Sequence, residues 1–315
     1  MKLEFFRREK GTGTPTLRRL ARRRYAVRTT TAVAILACLS AGLAIACGGG
    51  PTTASPSVSS KAPAGPPPVI TLETTDSAIN MPETIEGGWV TLELKNTGPG
   101  VHLIQLREAT SPQDAERLLA LERDPAVTRL ALDAAAPYFG GVAPLTPGTS
   151  AQVTLNIPPG LYNVADDVPS DGVPNYRKGM ARTLTVTAPN GTSAQEPVGT
   201  ATLTMKDHSY SSLPSLPAGQ STIKFLNDGP EPHTAIIARL SEGKTVSDAF
   251  QSITAGSRTG IFAAVGGVEG EGKGLTAYAT VNLQPADYIF YCGLTDAATG
   301  KTHGALGMVS GFTVR

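Results

Sequence analysis

LELKNTGPGVHLIQL, residues 92–106, and IKFLNDGPEPHTAII, residues 223–237, are one pattern written twice. Asn96, Gly98, Pro99 and His102 of the first recur as Asn227, Gly229, Pro230 and His233 of the second. In both, alternating apolar residues run into a Gly-Pro turn and resume after the histidine, which reads as strand, turn, strand. Each copy continues into a short helical segment, SPQDAERLLALE or KTVSDAFQSI, with Ser111 and Thr245 as N-caps.

The copies also end alike. VTLNIPPGLYNVADDVPSDGVPNYRKGMARTLTV from Val153 parallels VNLQPADYIFYCGLTDAATGKTHGALGMVSGFTV from Val281. Setting Met180 against Met308 without a gap places Asn175 opposite His303 and Val164 opposite Cys292. Only two copies at this period make a pair of domains and not a solenoid. The expected fold is all-β: two tandem Greek-key β-sandwiches, residues 69–188 and 198–315, each with one short helix, joined near TAPNGTSAQEP. No Gly-rich loop opens a helix, so nucleotide binding is not indicated.

Charge excludes further classes. The chain carries 27 Lys and Arg against 26 Asp and Glu, a net +1, so no global field recruits nucleic acid. Lys and Arg crowd the region up to Arg28 and are then absent until Lys61, the asymmetry of a targeting segment. The uncharged run TAVAILACLSAGLAIAC ends in small residues before Cys47, and a Pro/Ser/Gly-rich stretch follows. This resembles a bacterial lipoprotein signal. It implies residues 1–47 as signal peptide, lipidation of Cys47, residues 48–68 as a flexible linker, and a place on the outer face of the cytoplasmic membrane or in the cell envelope. Cys38 is the alternative cleavage point, and an uncleaved signal anchor the alternative tether. All three put the remainder outside.

His233, Cys292, His303 and Met308 carry the chemistry of the second copy. Two imidazoles, a thiolate and a weak thioether suit both oxidation states of copper. Taken singly, each is an ordinary structural residue: cysteine is often simply buried, histidine caps turns, methionine fills cores. Cleavage before Cys47 would leave Cys292 the one remaining thiol, unable to form an internal disulfide.

Together the four residues resemble the ligands of the cupredoxins, the family of plastocyanin and azurin. There the first histidine follows an Asn-containing turn, as in NDGPEPH, and the others surround the loop before the last strand, as in HGALGMVSGFTV. The resemblance implies a type 1 copper site in the second module and one-electron transfer along His303 to a transient redox partner docking on Gly304, Ala305, Leu306 and Gly307. Multicopper reductases also pair such domains, but the 4 histidines of the chain cannot furnish their extra centre beside a blue site, so no enzyme activity is expected. One departure stands out: ten residues, GLTDAATGKT, separate Cys292 from His303. A longer loop costs little to close but puts rigidity in doubt. Copper delivery or sequestration, and a metal-free adhesion or assembly module, are the competing readings.

The first copy lacks the set. It keeps His102, expected to serve its turn, and Met180, while Val164 and Asn175 replace the thiolate and second imidazole. Asp166, Asp167 and Asp171 read as turn residues, and His208 as a loop histidine.

Overall fold

Inward and outward residues alternate along the repeated strands. Val90, Leu92, Leu94 and Asn96 are buried in one copy, and Ser221, Ile223, Phe225 and Asn227 in the other. The closing Asn is a clamp. Asn96 Nδ2 donates to the carbonyls of Gly100 (2.8 Å) and Leu145 (2.9 Å), while its Oδ1 accepts from Gly98 N–H. Asn227 repeats this with Glu231, Glu271 and Gly229. A buried turn needs its backbone groups paired, which accounts for the recurring Asn-X-Gly-Pro.

The computed structural model describes residues 65–191, 194–257 and 260–315; the signal, Cys47 and most of the linker lie outside them. The first copy runs β1 (Val69–Thr75), β2 (Ala78–Asn80), β3 (Thr84–Glu86), β4 (Gly88–Asn96), β5 (His102–Ala109), α1 (Pro112–Arg123), α2 (Arg129–Ala135), β6 (Tyr138–Leu145), β7 (Ser150–Ile157), β8 (Gly160–Ala165), the short β9 (Pro169–Ser170) and β10 (Val173–Pro174), and β11 (Ala181–Thr187). The second runs β12 (Ala201–Lys206), β13 (Ser209–Tyr210), β14 (Gly219–Asn227), β15 (His233–Leu240), α3 (Val246–Thr254), β16 (Phe262–Glu271), β17 (Thr276–Leu283), β18 (Ala286–Tyr291) and β19 (Val309–Val314). Ser111 caps α1, and Thr245 caps α3 in a full capping box. The first copy has a second helix, α2, that periodicity did not predict; Thr128 caps it and it buries Leu132.

Both copies share the two large sheets, while β9 and β10 pair by themselves in the first copy. One sheet runs β13-β12-β14-β17-β7-β4-β1-β2, the other β19-β18-β15-β16-β6-β5-β8-β11-β3. The copies meet where β17 pairs antiparallel with β7 and β16 with β6. Leu92 pairs Val153 in one copy and Ile223 pairs Ala279 in the other, so Val153 and Ala279 are equivalent; across the seam they pair with each other. Val142 and Val268, the partners of Ile104 and Ala235, do the same. This is the self-complementary geometry of a two-fold dimer, written into one chain. A single core cluster accordingly includes Val153 and Leu155 with Ala277 and Ala279.

Candidate metal centre

His233 opens β15 and is fully buried. Its Nδ1 lies 3.1 Å from His303 Nδ1, and its Nε2 lies 3.1 Å from Asp207 Oδ1. Cys292 follows β18, and its Sγ is 3.5 Å from His303 Nδ1 while accepting the Thr234 N–H at 3.3 Å. Donor atoms of His233, Cys292 and His303 all fall within 4.8 Å of one another. A trigonal ion with bonds of roughly 2.0–2.3 Å would space its donors about 3.5–3.9 Å apart. The two direct separations are within a few tenths of an ångström of that triangle.

Backbone bonds set this arrangement. Cys292 N–H donates to Met308 O (3.2 Å), Gly304 N–H to Cys292 O (2.9 Å), and Met308 N–H to His303 O (2.9 Å). Met308 is buried beside the set as β19 begins. The ten-residue excursion is pinned as well. Thr295 and Thr302 form a bridge, Asp296 N–H donates to Lys301 O (2.8 Å), and His303 N–H donates to Leu294 O (2.8 Å). The loop length that put rigidity in doubt is thus taken up in a small closed turn beyond the ligands.

Burial pushes the Cys292 thiol up to about 11, against the opposing hydrogen bonds from Thr234. Burial likewise lowers His233 and brings His303 down to about 4, with His233 and His208 nearby adding to the latter. Both imidazoles are therefore neutral near pH 7, the form that offers a lone pair to a metal. Carboxylates stand behind them: Asp207 faces His233 Nε2, and Glu231 Oε2 lies 3.3 Å from His303 Nε2. Such partners orient ligand histidines and raise their donor strength. On donor chemistry and spacing the set fits a type 1 copper ion.

The expected apolar surround of His303 is not what the structure has. His303 is only 2 % exposed; its ring packs on His208 at 5.2 Å between centroids and its outer edge faces Glu231. His208 is therefore part of the surroundings of the site, not a bystander in a loop. Beyond lies a cavity of about 600 Å³, whose walls include His303, Pro230, Leu294, Leu275, Tyr138 and Phe139 from both copies.

The first copy needs a larger correction. Cys292 N–H donates to Met308 O, and the bond in the same place is Asp166 N–H to Met180 O. Gly304 N–H to Cys292 O likewise matches Tyr176 N–H to Asp166 O. Asp166, not Val164, therefore occupies the thiolate position; the loop after it is two residues shorter, which a gapless alignment hides. Asp166 is more than a turn residue: its Oδ1 accepts the Val168 N–H at 3.0 Å in a local turn, and its other oxygen points inward. Its buried Oδ2 lies 2.6 Å from His102 Nδ1 and accepts from Asn175 Nδ2 at 3.0 Å. On the other side His102 Nε2 meets Asp76 Oδ1 at 2.9 Å, the counterpart of His233 with Asp207. A carboxylate thus closes the first site with hydrogen bonds. Asp167 pairs with Arg129 instead, and Asp171 is fully exposed.

Sequence reasoning missed Asp76, Asp207, Thr234 and Glu231. The first two were detectable, since each stands at the same distance before its histidine.

No protein-family model matches the chain, and no curated protein matches it. Among solved structures, reduced auracyanin from Roseiflexus castenholzii is similar over 39 % of this chain and 98 % of its own, at 18 % identity and a TM-score of 0.27. A blue copper oxidase from Nitrosomonas europaea is similar over 79 % and 86 %, at 12 % identity and 0.23. A copper-containing nitrite reductase from Thermus scotoductus is similar over 79 % and 62 %, at 10 % and 0.23. At TM-scores this low the similarities carry no argument, and the conclusion rests on strand order and donor placement in this chain. Its described residues form two β-sandwich modules of one repeat, of which the second brings His233, Cys292 and His303 together, with Met308 joined to them by backbone bonds, and the first closes the same place with hydrogen bonds.

Proposed function

We propose that the second module holds one copper ion between His233, Cys292 and His303, with Met308 as the weak fourth ligand, and that the protein passes single electrons. The observation that carries this reading is the convergence of two neutral imidazole nitrogens and a buried thiol within 4.8 Å. Bound copper would supply a one-electron couple. The protein's part is to hold the donors still: Asp207 and Glu231 fix the imidazole planes, the Thr234 N–H steadies the sulfur, and the pinned loop keeps His303 in register. Little rearrangement is then needed when charge changes. The cavity wall, to which His303 contributes, is the natural approach for a redox partner.

We further infer from the leader sequence that the chain is exported and tethered through Cys47, close to membrane redox partners. The closed turn between Cys292 and His303 favours a carrier over a delivery protein, whose ligands would need freedom to release metal.

Titration of the full-length protein with Cu(II) tests the reading. One equivalent is expected to give intense visible thiolate-to-copper absorption that Cys292→Ser abolishes. A wild-type protein that stays colourless and retains no copper after dialysis rules it out.

A further inference from the structure

Among the described residues, one group of side chains besides the copper set brings metal-ligating atoms together. His208 lies in the turn between β12 and β13, Glu231 between β14 and β15, and Asp296 in the excursion after Cys292. With His303 they place one donor atom each within 4.8 Å of one another. His303 takes part through its outer edge, since Nδ1 faces His233 and Cys292 while Nε2 faces Glu231.

We propose that His208, Glu231, Asp296 and the Nε2 edge of His303 form a second cation site, for a divalent transition ion of the Cu(II) or Zn(II) kind. Two imidazoles and two carboxylates suit such ions, whereas all-oxygen sets suit Mg(II) and Ca(II).

Three observations support it. The buried His208 Nε2 has no hydrogen-bond partner, although buried polar atoms are ordinarily satisfied, and Glu231 Oε2 faces the His303 Nε2 edge at 3.3 Å. Asp296 is 6 % exposed, and its Oδ1 accepts from the backbone N–H and the hydroxyl of Thr299. The first copy, built on the same turns, has Ser77 and Gly100 where the second has His208 and Glu231, and Asn175 where it has His303; its shorter loop brings no acid to the place of Asp296. The outer donors thus occur only in the copy that also has the thiolate. The Glu231 side chain, 41 % exposed, leaves a path from solvent. Four bonds of roughly 2.0–2.2 Å require donors about 3.3–3.6 Å apart, so closing on an ion takes a side-chain adjustment of about 1 Å.

The inference stands on these outer donors and not on whether the inner site is filled. Its test removes two inner donors in the full-length chain, by His233→Ala with Cys292→Ser, and titrates with Zn(II) by calorimetry. One equivalent is expected. In the same background His208→Asn, which tolerates the left-handed backbone found there (φ 57°), should weaken binding at least about tenfold, because even outer-shell partners of metals are worth about 10–100-fold. Asp296→Asn should also weaken it. No binding in the two-donor variant, or equal affinity with and without His208, overturns the proposal. Failure of the inner site would appear separately, as missing thiolate absorption in the wild type.

Discussion

Asp166 does in the first module what a metal would do in the second: it satisfies a buried histidine from the inner side. Burial alone lowers the His102 pKa, but the hydrogen bonds its ring donates to the Asp166 and Asp76 carboxylates outweigh it and leave it raised. Desolvation raises Asp166 in turn, partly offset by His102 and Asn175. Removing one member of a buried pair typically costs about 3–5 kcal/mol, so Asp166→Ala should lower stability by that order in denaturant titration. The pH dependence has a definite sign. A raised histidine contributes stability that is complete below its unfolded value of about 6.5 and is lost as pH rises through the folded value. The stability gap between wild type and Asp166→Ala should therefore be widest a little below pH 6.5 and narrow with increasing pH; a gap that widens would contradict the pairing. Comparing variants removes the opposing contribution of His233 and His303, which are lowered and favour higher pH in both proteins. The convergence of His233, Cys292 and His303 was foreshadowed in the sequence because their types and order are distinctive. Asp166 was not, because a two-residue difference in loop length shifts the alignment off it, and only backbone bonding restores the correspondence.

At the scale of elements, the seam strands carry a repeat that hydrophobic patterning does not reveal. Gly140-Gly141-Val142 of β6 matches Gly266-Gly267-Val268 of β16, each beside a break in register with β5 or β15. Gly267 has φ 116°, and a Cβ there would stand 2.1 Å from Ala235 O; one on Gly141 would stand 1.9 Å from Ile104 O. At both positions, close to these breaks in register, only glycine fits. Gly267→Ala should cost about 1–3 kcal/mol for the backbone conformation alone, more with the clash, and is checked by the shift in chemical unfolding midpoint. A neutral result would mean that the break in register can be ironed out. Strands, turns and the helices α1 and α3 were legible from period and punctuation. The helix α2 was not, since seven residues give too few turns for a periodic signal. The outer cluster was hidden for a different reason: His208, Glu231 and Asp296 come from three separate turns, which patterning identifies as turns without saying which of them meet.

The whole molecule is where sequence was least informative. Two tandem modules could have been beads on a linker, but the seam makes each sheet continuous through the pair. The full chain should therefore unfold in one cooperative transition, with intrinsic fluorescence and circular dichroism coinciding. Residues 198–315 alone would expose the edges of β16 and β17 and should be less stable and prone to self-association. Two separate transitions in the full chain would contradict the shared sheets. The hydrogen-bonded first site has a further consequence, one of timing. Because Asp166 satisfies His102 without any cofactor, half of each sheet can assemble in a compartment where copper is scarce, and β6 and β7 then offer finished edges on which β16 and β17 find their register. The first module, closed by its own hydrogen bonds, would then act as a template within the chain on which its neighbour finds its register.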